Sequence, residues 1–221
     1  MFIGHYSAAF IAAAHPKAPR LGTLFIGAQL VDFGFFGLAL LGVEAMRITP
    51  GYTVMNPMDL HSMPYTHSLI GSAVWAAGFA LIIGLLTKNR VGALIGGLVV
   101  MSHWLLDLLV HSKDLTIAGS PPKLGFGLWN YPAIEMPLEL ALTFGALWWF
   151  VRATKAKQKS RAMGVLIAAL LAMQAFNWFA PPPQSYDATM PISGLIAFII
   201  AAAIAYWVAR GRRHRLMGDF K

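Results

Sequence analysis

The 221-residue sequence contains no cysteine, so disulfide bonds and thiolate metal ligands are excluded. Charged residues are also scarce, at 12% of the chain, whereas ordinary soluble domains carry about 25%. Hydrophobic residues reach 57%, and no long polar stretch could build a separate soluble domain. The composition therefore predicts a single domain, residues 1–221, that is embedded in lipid.

Apolar runs long enough to cross a bilayer follow one another along the chain, since a spanning helix needs about 20 such residues. Six runs are predicted to span: Leu21–Val43, Thr66–Thr87, Val91–Val110, Tyr131–Val151, Ala162–Ala180 and Met190–Ala209. The segment Phe2–Ala14 is too short to cross, and we expect a half-helix or partly re-entrant segment that turns at His15-Pro16-Lys17. The expected fold is an all-α polytopic membrane protein with about six transmembrane helices and an N-terminal half-helix.

Basic residues outnumber acidic ones by 17 to 9, giving a net charge of +8. They lie mostly at the ends of apolar runs, where they set orientation and meet anionic lipid headgroups, so the expected partner is the lipid bilayer and not nucleic acid. Fourteen of the 17 fall on alternate connections, at residues 17–20, 88–90, 152–161 and 210–221. The positive-inside rule predicts that these connections and the C-terminus are cytoplasmic.

Ionisable side chains within the spans are the main functional signal, because such groups are costly in a membrane and usually face the bundle interior. At about 1.5 Å per residue from the basic ends, they converge on one layer in the outer half of the membrane. His103, Asp107 and His111 share one helical stripe, and Glu135 and Glu139 share a stripe on the next span. The candidate metal ligands are His5, Asp32, His61, His67, His103, Asp107, His111, Glu135 and Glu139.

Several carboxylates in a low-dielectric site would repel one another and take up protons unless a cation compensated them. Imidazole and carboxylate ligands without sulfur suit Zn, Fe or Mn, and nine candidates exceed the four ligands of one tetrahedral site. We therefore expect a divalent metal, namely Zn, Fe or Mn, with enough ligands for two or more ions. His61, His111 and Glu135 could bind metal directly or support the residues that do.

Part of the chain resembles a known family. The residues that carry the resemblance are His5, Asp32, Thr66-His67-Ser68 and Ser102-His103-x3-Asp107. Their order is similar to that of the membrane-bound metal-dependent hydrolase family of bacterial inner-membrane proteins, which distantly resembles zinc-dependent phospholipase C. The resemblance covers about residues 1–139, and residues 140–221 are expected to be additional helices.

The resemblance implies a bacterial inner-membrane location and a site for several zinc ions. The implied ligands are His5, Asp32, His61 or His67, and His103 with Asp107, and His111 would supply a further histidine. Two features depart from the phospholipase pattern. Glu135 stands where that pattern has a histidine, and its N-terminal tryptophan ligand has no counterpart here.

The leading functional hypothesis is a metal-dependent hydrolase that acts on a phosphoester or lipid-linked ester near the outer leaflet. Bound metal would lower the pKa of a water molecule, and Asp32 or Glu139, whichever does not bind the metal, would be the general base. The alternative is a metal-ion or proton transporter that uses the same residues as an intramembrane ion site. A di-metal oxygenase is a third reading, but the sequence lacks the His-x2-His-His boxes that this class would need.

Overall fold

Eight α-helices build the protein over residues 1–215, which are the residues that the computed structural model describes. They are α1 (Tyr6–Ala13), α2 (Leu21–Ala28), α3 (Leu30–Leu40), α4 (Leu69–Thr87), α5 (Arg90–Val110), α6 (Pro132–Ala153), α7 (Ala162–Phe179) and α8 (Thr189–Arg210). Helices α4 to α8 are each long and apolar enough to cross a membrane, and α2 with α3 forms a sixth candidate span. The prediction of an all-α polytopic membrane protein is confirmed.

Large apolar side chains are exposed on the outer faces of these helices, among them Val74, Leu85, Leu94 and Trp148. Exposed apolar surface on this scale is expected where lipid is the solvent. The acidic and histidine side chains of the spans instead lie inside the bundle. Interior polar groups among lipid-facing helices are the usual sign of a functional site in a membrane protein.

The first predicted span, Leu21–Val43, is broken at Gln29. Helices α2 and α3 meet there with a bend of 51°, although no proline marks the position. Gln29 is fully buried, and its Nε2 donates a hydrogen bond to the Phe2 carbonyl oxygen at 3.1 Å. Non-helical backbone at membrane depth is tolerated where protein groups surround it.

The N-terminal segment forms the predicted short helix. A 3₁₀ turn, Ile3–His5, leads into α1, which packs inside the bundle against α2 and α6. Tyr6 and Phe10 are fully buried, and the Tyr6 ring stacks on Phe25 at 4.1 Å between centroids. The chain turns over residues 14–18 before α2 begins. Burial of α1 brings its first residues to the centre of the bundle.

The connections between helices separate into two ends of the bundle. One end, here called the hairpin end, carries two antiparallel hairpins: β1 (Ala45–Ile48) with β2 (Met58–Ser62), and β3 (Leu115–Thr116) with β4 (Lys123–Leu124). At the other end, β5 (Thr154–Ala156) pairs with β6 (Arg212–His214).

This second end is where the four basic connections meet, and we call it the basic end. Asn89 Nδ2 donates to the Lys17 carbonyl oxygen at 2.7 Å, and His214 Nε2 lies 3.0 Å from the Ala13 carbonyl oxygen. With the pairing of β5 and β6, these contacts join all four connections. Lys221, part of the last basic cluster, lies outside the described residues.

Candidate metal centre

Four histidines and two aspartates converge inside the bundle from four segments of the chain. They are His5, Asp32, His67, His103, Asp107 and His111. All are buried except Asp32, whose side chain is 19% exposed. Six of the nine predicted ligands therefore form one cluster.

Asp107 lies at the centre of this cluster. Its Oδ1 is 3.1 Å from His5 Nε2 and 3.4 Å from His111 Nε2. Its Oδ2 is 3.0 Å from His103 Nε2 and 3.6 Å from His67 Nε2. The two oxygens of one carboxylate thus face two different pairs of histidines.

Asp32 faces one of these pairs from α3. Its Oδ1 lies 3.3 Å from His67 Nε2 and 3.5 Å from His103 Nε2. Two sets of three residues, His5 with His103 and Asp107, and Asp32 with His67 and His103, each bring their ligand atoms within 4.8 Å of one another. His103 belongs to both sets, and its ring stacks on the His5 ring at 3.8 Å.

In His103 and His111, the ring nitrogen that does not face Asp107 contacts another oxygen. His103 Nδ1 lies 2.8 Å from the carbonyl oxygen of Ala28, the last residue of α2 before the break. His111 Nδ1 lies 2.9 Å from Asp114 Oδ1. A carbonyl or carboxylate oxygen only accepts hydrogen bonds, so Nδ1 carries the proton in both rings.

His67 is oriented through a relay of two residues. Its Nδ1 lies 2.9 Å from Thr66 Oγ1, and that hydroxyl donates to Glu44 Oε2 at 2.6 Å. Because the hydroxyl proton goes to Glu44, Thr66 Oγ1 accepts from His67 Nδ1. Glu44 is buried, and its Oε1 accepts hydrogen bonds from the backbone nitrogens of Tyr65 and Thr66.

With Nδ1 protonated, a neutral histidine presents the lone pair of Nε2, and here that lone pair faces a carboxylate. Two acceptors in a buried site repel each other unless a cation lies between them or the ring takes up a second proton. Among residues 1–215, His5 Nε2, His103 Nε2 and Asp107 Oδ2 are buried without a hydrogen-bond partner. This donor set fits a divalent cation, since metal-bound histidines commonly hold the other ring nitrogen by a carboxylate or carbonyl oxygen.

The separations between these atoms also fit a shared cation. Zinc binds imidazole nitrogen and carboxylate oxygen at about 2.0–2.2 Å, which places neighbouring tetrahedral ligands about 3.4 Å apart. The nitrogen-to-oxygen distances in the cluster run from 3.0 to 3.6 Å. The site therefore has the ligand types, the burial and the spacing of a metal centre.

Glu139, predicted as a ligand and as a general base, makes three hydrogen bonds away from this set. Its Oε1 accepts from the backbone nitrogens of Phe2 at 2.5 Å and Gly4 at 2.9 Å, and its Oε2 accepts from Gln174 Nε2 at 2.7 Å. The carboxylate thereby holds the N-terminal turn that carries His5. Glu135, on the same helix, is buried, and its two oxygens have no hydrogen-bond partner within the described chain.

His61 lies apart from the cluster. It is exposed on β2, where its Nδ1 is 3.4 Å from the Asp59 carbonyl oxygen, and the structure brings none of the other predicted ligands to it. His61 lines a separate cavity of about 80 Å³ between the two hairpins. Of the alternatives His61 and His67, it is His67 that joins the cluster.

Met1 reaches the cluster, which the sequence did not indicate. Its backbone nitrogen lies 3.1 Å from Asp107 Oδ1. Three further residues escaped prediction: Glu44, Asp114 and Gln174. Asp114 follows His111 by three residues, a spacing that could have flagged it. Glu44 and Gln174 act across 22 and 35 positions in the sequence, so no local pattern marks them.

The chain matches no protein-family model, and comparison with curated proteins and with solved structures found no similar protein. Functional inference therefore depends on the chemistry of the cluster.

Proposed function

We propose that the protein is a metal-dependent membrane hydrolase whose metal is held by the His/Asp cluster. The observation that carries this proposal is the orientation of the histidines. In His67, His103 and His111 the Nδ1 atom is held by a hydrogen-bond acceptor, and Nε2 faces Asp107. A metal ion between these atoms would compensate the carboxylates of the cluster and bind the Nε2 lone pairs that face them.

Asp107 suits the role of a carboxylate shared by two ions. His67 and His103 with Asp32 would complete the ligands on the Oδ2 side. His5 and His111 would bind on the Oδ1 side. Zinc is the favoured ion, because nitrogen and oxygen ligands in four-coordinate sites suit it and the chain offers no sulfur from cysteine.

Bound metal would supply a Lewis acid and lower the pKa of a water molecule toward neutrality. The protein's own contribution would be the orientation of the ligands and a general base. Asp32 is the better candidate for that base through its Oδ2, because only its Oδ1 faces His67 and His103 and its side chain is partly exposed, while Glu139 already accepts three hydrogen bonds. Glu139 would then act by fixing the segment that carries His5.

A phosphoester or lipid-linked ester is the substrate class that we propose. Cations can neutralise phosphate oxygens, and a site within the bundle lets acyl chains remain in lipid. The resemblance of residues 1–139 to the bacterial inner-membrane hydrolase family favours the same class. We also propose that the basic end faces the cytoplasm of a bacterial inner membrane, so that the hairpin end faces outward.

The test uses purified protein reconstituted in liposomes that contain phosphorylated lipids. We expect about two zinc ions per chain and the release of a water-soluble product that a chelator abolishes. Asp107→Asn should lose both bound metal and product release. The exposed histidine His15, at the basic end, provides the matched control, and His15→Ala should keep both.

The same liposomes distinguish hydrolysis from transport. A hydrolase should give no uptake of zinc, manganese or protons above that of empty liposomes. Ion uptake without hydrolysis across a broad panel of esters would refute the proposal in favour of the transporter. Wild-type protein without bound metal after loading would refute both the hydrolase and the metal-ion transporter.

A further inference from the structure

A large apolar crevice opens on the lipid-facing side of α2, α3 and α8, with a volume of about 530 Å³. This size lies within the range of about 300–1,000 Å³ for small-molecule sites. Its lining residues are Gly22, Thr23, Ile26, Leu30, Phe33, Ile199, Ala202, Ala203 and Tyr206. Only Thr23 and Tyr206 carry polar atoms in their side chains, so the crevice suits a hydrocarbon chain.

Two arginines meet at the end of the crevice that Tyr206 lines. Arg20 Nη1 donates to the Tyr206 hydroxyl at 3.3 Å, and the Arg20 guanidinium lies 5.6 Å from the centre of the Tyr206 ring. The Arg210 guanidinium lies 5.4 Å from the same centre. Contacts of this length between a guanidinium and an aromatic ring are attractive, so one tyrosine holds both cations beside the crevice.

Gly22 allows this arrangement. A Cβ atom at position 22 would lie 2.6 Å from Tyr206 Cδ2 and 2.9 Å from the Ala202 carbonyl oxygen. Any larger residue would push Tyr206 away from α2. The close approach of α2 and α8 therefore fixes the ring on which both arginines rest.

The charge of the arginine pair is not balanced by the part of the chain that the structure describes. The ion pairs there involve Asp32, Asp59, Asp107 and Asp114, and none includes Arg20 or Arg210. Both arginines are exposed. Guanidinium groups bind phosphate oxygens well, and basic sites between helices at a membrane surface recognise anionic headgroups.

We propose that this crevice binds one anionic glycerophospholipid from the leaflet at the basic end. Its phosphate would bind Arg20 and Arg210, and an acyl chain would lie along the crevice beside Ile26 and Ile199. About 18 Å of helical path, bent at Gln29, separates Arg20 from Asp32, so the headgroup site is separate from the His/Asp cluster. The lipid would contact both α2 and α8. Its binding does not depend on hydrolase activity.

The test compares thermal stability and native mass spectra of the detergent-purified protein with phosphatidylglycerol and with phosphatidylcholine of the same chains. We expect one phosphatidylglycerol retained per chain and a higher melting temperature with that lipid. The double variant Arg20→Gln/Arg210→Gln should bind it roughly tenfold or more weakly. The control Lys88→Gln/Arg90→Gln removes the same charge from exposed residues at the same end and should bind as the wild type does.

Two further measurements decide between a lipid and a simple anion. Ala203→Phe should fill the crevice and weaken phosphatidylglycerol binding although both arginines remain. Inorganic phosphate should neither compete with the lipid nor raise the melting temperature. Equal weakening in the Lys88/Arg90 control, unchanged binding in the arginine variant, or full competition by inorganic phosphate would each overturn the proposal.

Discussion

Thr66 gives the sharpest test of the proposed metal centre, because it touches a proposed ligand without being one. Thr66→Val keeps the shape of the side chain and removes the hydroxyl between His67 and Glu44. His67 Nδ1 then loses the acceptor at 2.9 Å, and Glu44 Oε2 loses the donor at 2.6 Å. The His67 ring becomes free to turn, so its Nε2 no longer points reliably at Asp32 and Asp107.

The expected effect on metal affinity follows from this loss of orientation. Removing a group that orients a metal ligand commonly lowers affinity about 10–100-fold, or about 1.4–2.7 kcal/mol. The buried groups left unpaired should also cost about 1–3 kcal/mol of folding stability. Stability alone therefore cannot identify the role of Thr66, and metal affinity must be measured separately.

Ser68 provides the matched control two residues away. Its hydroxyl is also buried, accepts from the Gly71 backbone nitrogen at 2.9 Å and donates to the Pro64 carbonyl oxygen at 2.7 Å, as the N-cap of α4. Ser68→Ala should cost about 1 kcal/mol of stability through loss of the cap. Because the Ser68 hydroxyl makes no hydrogen bond to a proposed ligand, the metal affinity of the Ser68→Ala variant should stay at the wild-type value.

The assay titrates zinc into metal-free protein in competition with a chromophoric chelator, with melting temperatures recorded in parallel. Thr66→Ser restores the hydroxyl and should recover most of the affinity. Wild-type affinity in Thr66→Val would refute the assignment of His67 as an oriented ligand. Equal losses of affinity in Thr66→Val and Ser68→Ala would show that the loop responds only to general loosening.

Three other predictions address the rest of the molecule. Cysteines introduced at Ser160 and Ser185 should label from opposite sides of the membrane, with Ser185 outside, and labelling of both from one side would contradict six spans. Glu139→Gln should lower stability by about 1–3 kcal/mol and abolish product release, because the carboxylate that accepts from Gln174 is lost; full activity would contradict its role in holding the N-terminal turn. His61→Ala should retain the wild-type zinc content in elemental analysis, and loss of zinc would place His61 among the ligands.

The spans could be predicted because apolar length is a strong signal in membrane proteins. The predicted Val91–Val110 is observed as Arg90–Val110, and Met190–Ala209 as Thr189–Arg210. The break at Gln29 could not be predicted, since the run from Leu21 to Val43 lacks proline and is apolar apart from Thr23, Gln29 and Asp32. Its cause is tertiary: the Gln29 side chain donates to the Phe2 carbonyl oxygen.

The cluster could be predicted in part from the spacing of its residues along one helix. The four-residue spacing of His103, Asp107 and His111 placed them on one stripe, and all three lie together in the structure. For Glu135 and Glu139 the spacing could not predict whether either residue is a ligand. Glu139 accepts hydrogen bonds from the N-terminal turn and from Gln174. Those partners come from segments far away in the sequence.

The irregular parts of the fold coincide with the His/Asp cluster, and the reason is the solvent. In lipid, a helix break leaves backbone groups without partners, so it is tolerated only where protein groups satisfy them. At the break after Ala28, the carbonyl oxygen of that residue receives His103 Nδ1. The break thereby orients His103. In a regular helix this carbonyl oxygen would accept a hydrogen bond from the helix backbone instead. The N-terminal turn similarly places His5 against Asp107, because Glu139 accepts a hydrogen bond from the Gly4 backbone nitrogen. In this protein the departures from regular helix are therefore the elements that orient the proposed ligands.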